Sequence, residues 1–478
     1  MFCLSLLQRK RIFFFGVVIF SFFTLACTSS KFDEKIETAI TEGNYDVAVS
    51  LLKKQKHVAK NTILENLNLS LLMHWAEQYD KSSALMNPTD NLLMESAQLN
   101  LARSFGTAVL NDNSATYAGT VYEYLYINAF NALNYYNAGK LEDALVEVRK
   151  LKAKQEQYIS NYGAVALKPQ DEAPDDSKKS ADAARQFGLS KDAMEFKGDK
   201  ATSDNIFRDS ATVRYVSMAL HSADGDNGDG SAAALDARYV AALSGIDTAE
   251  DAEIPYGKGR LNVLAFTGRI GRRYEQSVNI PVTGFLLPTA TGPIHVPSFN
   301  LRFAWPEFDL ARSEGVQRID TVTVELDDGT KSTLQLLENF NAVACDDTII
   351  TGEKAFKRSV TRSTIRTLTT VVGGAAGLIA AKVAYDKDNT APRLLAYTLA
   401  LAAYETAVAL VDVYEQADVR QCTMLPGYAF AAGLTVAPGT YTVTVRYYKH
   451  GALVGEEKHQ NIAVRSQRAT LVEAADFR

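Results

Sequence analysis

The sequence predicts an α+β chain in which an N-terminal α-solenoid of paired helices is followed by a β-sandwich, itself interrupted by a long apolar helical hairpin. Residues 31 to 163 carry apolar runs at helical spacing, with Pro88 as the sole proline. After Pro255 short alternating segments separated by turns take over, which is the grammar of strands. Between two groups of these strands, residues 353 to 418 return to helical spacing and are largely apolar.

The chain has 478 residues, enough for more than one core, and its 47% hydrophobic content is ordinary for a globular protein. Residues 1–26 read as an export signal. Arg9-Lys10-Arg11 is a basic patch, Ile12 to Phe23 is an apolar run too short for a comfortable membrane span, and Thr24-Leu25-Ala26-Cys27 follows where small residues are expected. Ala26-Cys27 resembles a lipid-attachment box, with Thr24 where Leu is commoner, so the mature chain is expected to start at an acylated Cys27 with 27–30 as a polar tether. Several acyl chains, palmitate among them, hold a bilayer stably where one would not. The lack of Asp at position 28 resembles outer-membrane sorting in enterobacteria.

Lys and Arg total 50 against 56 Asp and Glu, and loss of Arg9, Lys10 and Arg11 leaves 47 against 56, a formal charge of −9. An acidic body repels phosphate backbones, so no nucleic-acid partner is expected. Cys345 and Cys422 are the cysteines left in the folded body. In an oxidising compartment they either bridge, the expectation favoured here, or stay as buried thiols.

The helical domain is expected over 31–250. Gly43-Asn44-Tyr45 and Gly139-Lys140-Leu141 share one shape: a turn glycine, a large apolar residue two later, and a small residue (Ala48, Ala144) three beyond that. Tyr79 begins a degenerate copy 34 residues after Tyr45, the period of tetratricopeptide helix pairs. A solvated, disordered excursion is expected near 168–205, where Asp, Lys and Ser accumulate with Pro169, Pro174 and Gly198. The loop Asp224 to Gly230 has two Asp at EF-hand spacing. Gly228, Asp229 and Leu235 occupy positions where that motif needs other residues, so it reads as a turn and no metal is expected.

The sandwich is expected from 257–340 and 425–478, with strands at Arg260–Phe266, Gln276–Val282, Thr321–Leu326, Ser332–Leu337, Thr440–Tyr447 and His459–Val464. The insertion at 353–418 reads as two long helices joined by Asp386 to Thr390. The expectation is a hydrophobic hairpin packed on the rest of the chain. The alternative is a membrane-inserting or self-associating hairpin of the small-xxx-small kind over 366–413, against which Lys382, Glu405 and Asp412 count in lipid.

Four features together carry a family resemblance. They are Tyr122-Glu123-Tyr124-Leu125-Tyr126 leading into Ala132 to Ala144, Val263 to Phe266 followed by Thr267-Gly268, the long helices before Ala417-Asp418-Val419-Arg420, and Leu425-Pro426 leading to Pro438-Gly439-Thr440-Tyr441. Through them the mature chain resembles an uncharacterised group of bacterial envelope lipoproteins with tetratricopeptide-like N-terminal halves. It departs from that group at Arg269 to Arg273 and at the very apolar Val371 to Ala381. The resemblance implies a role in envelope assembly linked to peptidoglycan synthesis, and implies no catalytic residues.

The six His residues show neither a nucleophile elbow nor metal-ligand spacing, and Gly268 to Arg273 lacks the helix that would make it a phosphate cradle, so no cofactor and no enzyme is expected. The expected role is a protein-binding scaffold facing the periplasm. Tyr122, Tyr124, Tyr126 and Tyr135 are candidates for its groove, and Arg269, Arg272 and Arg273 for an anionic partner. The partners expected are membrane lipid through Cys27, an envelope protein, and a second copy through 366–413. The competing roles are an outer-membrane pore or secretion component acting through that hairpin, and a cell-wall enzyme using Glu123 or Asp209. Intact-mass analysis of the natively made protein is expected to give a chain beginning at a fatty-acylated Cys27; a product that still starts at Met1, or one without fatty acid, contradicts this.

Overall fold

The computed structural model describes residues 34–54, 62–102, 117–161, 174–289, 292–311, 319–388, 390–412 and 415–478. The export signal 1–26 and the tether 27–30, with Cys27, lie outside the described residues. The chain is an α+β mixture built on a mostly antiparallel, nearly closed seven-stranded sheet.

The first helices come in consecutive pairs: α1 (34–41) with α2 (Tyr45–Lys54), α3 (Thr62–Trp75) with α4 (Tyr79–Ala102), and α5 (Val121–Asn137) with α6 (Leu141–Asn161). Each second helix starts two residues after a left-handed residue: Gly43 at φ 75°, Glu77 at φ 56° and Gly139 at φ 76°. Glycine adopts that conformation without a Cβ penalty, and in the middle pair Glu77 accepts it. The spacing that marked Tyr45, Tyr79 and Leu141 therefore marks helix starts. α5 opens with a capping box, in which Thr120 and Glu123 each satisfy the other's backbone N–H.

The excursion expected near 168–205 is corrected from residue 174 onward. α7 (Pro174–Gln186) and two 3-10 turns occupy it, with Ala183 and Phe187 buried against later elements and Ser180 Oγ 2.8 Å from Thr364 Oγ1. The polar composition hid a narrow apolar stripe that a partner helix covers. α8 (Ala211–Asp224), α9 (Ala232–Ser244) and the short α10 (Ala249–Ala252) complete this half.

The strands are β1 (Gly259–Arg269), β2 (Arg273–Val282), β3 (Phe285–Leu287), β4 (Ile294–Val296), β5 (Phe299–Phe308), β6 (Thr321–Leu326), β7 (Lys331–Asn339), β8 (Pro426–Val436), β9 (Gly439–Lys449), β10 (Ala452–Val464) and β11 (Ala469–Asp476). Seven of them form one sheet in the order β10-β9-β6-β7-β8-β1-β11, parallel only at β1–β11. Pairing runs unbroken through β7–β8, so the two facing sheets expected of a sandwich are one curled sheet. The curl brings its edges together: Glu457 on β10 accepts from the Ala475 amide of β11 at 3.1 Å. Tyr441 ties the turn before β9 by donating to Ala437 O at 2.7 Å. β2 and β5 form a separate ribbon.

β1 has no solvent face. Leu261, Val263 and Ala265 enter the core enclosed by the curl, while Leu264 and Phe266 enter the helical core. There Trp75 lies 5.4 Å from Phe130, 5.4 Å from Phe266 and 4.8 Å from Phe477, edge to face, and its Nε1 donates to Met424 O at 3.0 Å.

The inserted helices are α11 (Phe340–Lys387) and α12 (Ala391–Ala409). α11 begins well before Glu353 because the Asn339 side chain caps it, accepting from the amides of Asn341 and Ala342. Its first half packs on β5 and α7, with Phe356 against Trp305 and Phe303, and the buried Arg362 pairs with Glu415 at 2.5 Å. Beyond Thr369 most side chains of α11 and α12 are exposed or half-buried, so the expected packing of the hairpin on the body holds only at its base. The expected bridge is also corrected: no disulfide joins Cys345 to Cys422. Cys422 is held elsewhere, its amide donating to Glu123 Oε1 at 2.5 Å, and burial pushes its thiol pKa up.

His74 joins α3 to the sheet. Its Nε2 lies 2.7 Å from Glu473 Oε1 on β11, and its Nδ1 lies 2.8 Å from Asn134 Oδ1, whose amide nitrogen is committed to Ser82. Burial alone depresses its pKa, but the Glu473 charge and the hydrogen bonds to Glu473 and Asn134 outweigh burial and raise it above 6.5. A raised folded-state pKa stabilises in full below the unfolded value and is lost as pH rises through the folded value. Denaturant titrations are expected to show stability falling as pH rises above 6.5, and His74→Gln to reduce that slope. His459 beside Glu457 adds the same sign, so the slope does not vanish. An unchanged slope in His74→Gln contradicts this assignment.

Candidate partner-binding groove

The residues expected to line a groove sit elsewhere. Tyr122 and Tyr126 are each 1% exposed, and Tyr126 donates to Glu338 Oε1 at 3.0 Å. Tyr124 is half-buried under Lys154, whose Nζ lies 4.1 Å from the ring centroid, and the Tyr135 hydroxyl accepts from Asn87 at 3.0 Å. α5 packs between α4 and α6, which is why a tyrosine-rich helix offers no open surface. Arg269 and Arg272 both pair with Glu37 of α1. Arg273 is buried, bonding Asp347 at 2.6 Å and Thr348 at 2.9 Å. Of the three, Arg272 is the exposed one.

The two acids considered for catalysis are engaged. Glu123 accepts from Tyr117 at 2.5 Å, the Thr120 amide at 2.8 Å and the Cys422 amide at 2.5 Å. Burial raises its pKa despite those bonds. Asp209 is clamped by Arg214 at 3.0 Å. Among the described residues no three His, Cys, Asp or Glu side chains are placed to hold a metal.

An open groove lies between α6, α8 and α9. Its cavity of about 50 Å³ is lined by Val148, Leu151 and Gln155 of α6, Val213, Arg214, Ser217 and His221 of α8, and Leu235 and Asp236 of α9. The floor is a closed ionic network. Arg214 bridges Asp209 and Asp236 (2.9 Å), Ser217 donates to Asp236 at 2.6 Å, and Gln155 bonds Asp209. Burial lowers the Arg214 pKa, but the two carboxylates outweigh it and raise it, so the floor is held in place by ion pairs and keeps a negative excess. The guanidinium also lies 4.2 Å from the Tyr239 ring centroid, holding that ring at the rim.

The rim is unlike the floor. Leu235 lines the cavity, and Tyr239 and Leu243 continue its stripe along α9 at intervals of four residues; the three are 44%, 42% and 46% exposed. Arg149 and Lys152 of α6 are exposed along the opposite edge. The arrangement is an apolar stripe facing a pair of cations, with a depression between, which suits an amphipathic segment bearing acidic residues. Sequence reasoning missed it because α9 is apolar on two faces: Ala233, Ala237 and Val240 supply the buried one. The signal available was that second stripe, too many large apolar residues for one covered face.

No family model, no curated protein and no solved structure matches the chain.

Proposed function

We propose that this chain is a lipid-anchored protein of the cell envelope, facing the periplasm at the outer membrane, that acts as a protein-binding scaffold or assembly factor. The observation that supports this best is the α6/α8/α9 groove, where the Leu235, Tyr239 and Leu243 stripe stays in water above a rigid floor. Each large apolar side chain that a partner buries fully is worth about 1.5–3 kcal/mol, so the stripe is a sufficient anchor for a docked helix once ordering costs are met.

The finer reading of the helical half is a tetratricopeptide-like solenoid, supported by the common helix starts at Tyr45, Tyr79 and Leu141 and by the left-handed residue two before each. The curled sheet, which encloses its own core, takes the part of a sandwich. The resemblance to envelope lipoproteins adds a link to peptidoglycan synthesis. A second reading, a pore or secretion component, is favoured by the exposed apolar hairpin; the engaged state of Glu123 and Asp209 weakens the enzyme reading.

Photocrosslinking in intact cells tests the scaffold. A benzoylphenylalanine at Leu235 or Tyr239 is expected to give one discrete protein adduct, and the same group at Leu453, 54% exposed on β10, to give none. Adding Leu235→Glu is expected to abolish the Tyr239 adduct. Equal labelling at all three positions, or none in the groove, rejects the reading.

A further inference from the structure

α11 and α12 leave the body as an antiparallel pair that packs through one stripe of each helix. Val371, Ala375 and Leu378 on α11 and Tyr404 and Val408 on α12 are buried. A Cβ at Gly374 would lie 2.5 Å from Tyr404 Cδ2, so that glycine makes the room for the ring. Near the tip Tyr385 and Tyr397 stack with centroids 6.3 Å apart, and Arg393 donates to Ala384 O at 3.0 Å.

The opposite stripes have no cover and are unlike each other. On α11, Gly373, Ala376, Gly377, Ala380 and Ala384 are exposed or half-buried, and a Cβ at Gly373 or Gly377 would meet nothing within 4 Å. On α12, Leu395 and Leu399 are each 59% exposed. α11 also contains a window long and apolar enough to cross a membrane, of mean hydropathy 1.5, yet only 22% of it is buried.

We propose that copies of this chain associate head to tail through the hairpin, the leucines of α12 in one copy seating between the small residues of α11 in the next. Two observations choose a second copy as the occupant. First, one hairpin carries both halves of a knobs-into-holes contact on faces that point away from each other. Repeating the α11/α12 packing between copies, with Tyr404 level with Gly374, sets Leu399 between Gly377 and Ala380 and Leu395 between Ala380 and Ala384. The contact continues a packing the chain already makes.

Second, Thr398 and Glu405, seven residues apart and both exposed, give α12 a polar flank. Lipid around the hairpin would strip Glu405 of its water, whereas the head-to-tail contact covers the leucine face and leaves this flank wet. Two different faces meet, so the interface is heterologous, and the assembly closes as a ring or extends as a filament. The inference does not rest on the groove.

Disulfide trapping in the full-length lipidated protein tests it, in a Cys345→Ser background. Differently tagged Gly377→Cys and Leu399→Cys chains made together are expected to form a mixed disulfide dimer, and a chain carrying both changes to form a ladder. Leu399→Lys is expected to shift the protein in detergent from oligomer to monomer mass by light scattering, with an unchanged circular dichroism spectrum. Three results overturn the inference: crosslinking through Leu399→Cys alone that exceeds the mixed dimer, monomer mass for the unaltered protein at every concentration, or labelling of position 399 by a photoactivatable lipid without protein crosslinks. Failure of the groove adduct at Leu235 with the oligomer intact would instead reject only the scaffold reading.

Discussion

The fold depends on β1 being covered on both faces. A strand between two cores cannot slip by one residue without sending Leu261, Val263 and Ala265 into the helical layer and Leu264 and Phe266 into the curl, so its register fixes the relation of helices to sheet. Trp75 meets Phe130 and Phe266 edge to face, and the tilted Phe130–Phe266 pair closes the triangle at 5.4 Å, which leaves little freedom for one layer to shift over the other.

Buried carboxylates add direction to that apolar joint. Glu338 of β7 accepts from Ser210 and the Thr212 amide at the start of α8, and from Tyr126 of α5. Glu473 of β11 bonds His74 of α3 and Asn137 of α5, and Glu123 of α5 holds the Cys422 amide just before β8. Each satisfies groups that would otherwise be buried unpaired, so each is costly to misplace. The result is a rigid body from which the α9 stripe and the hairpin project, and rigidity beneath them is what lets exposed apolar residues stay in defined places.

Much of this was legible in the sequence. The left-handed turns at Gly43 and Gly139 and the aromatic or leucine two residues later located helix starts, and the alternation in Val322 to Leu326 and Tyr441 to Tyr447 located strands. What was not legible was set by partners distant in the chain. β11 is Ala-rich and reads weakly alone, yet it pairs with β1 along its length. α7 is polar until Ala183 and Phe187 find their cover on later elements. The tyrosines of α5 looked like a binding face because local pattern cannot tell an aromatic groove from an aromatic core. Arg273 looked like a surface cation because Asp347, its partner, lies far along the chain on α11.

Native-state hydrogen exchange tests the joint most directly. If β1 ties the two halves into one cooperative unit, the amides of Leu261 to Phe266 and those of Ile127 to Leu133 in α5 exchange through the same opening, with equal free energies and equal denaturant dependence. Phe266→Ala should lower both by the same amount, about 3–5 kcal/mol. Exchange in α5 at a distinctly lower free energy, with β1 still protected, would mean that the helical half opens on its own and would contradict the account.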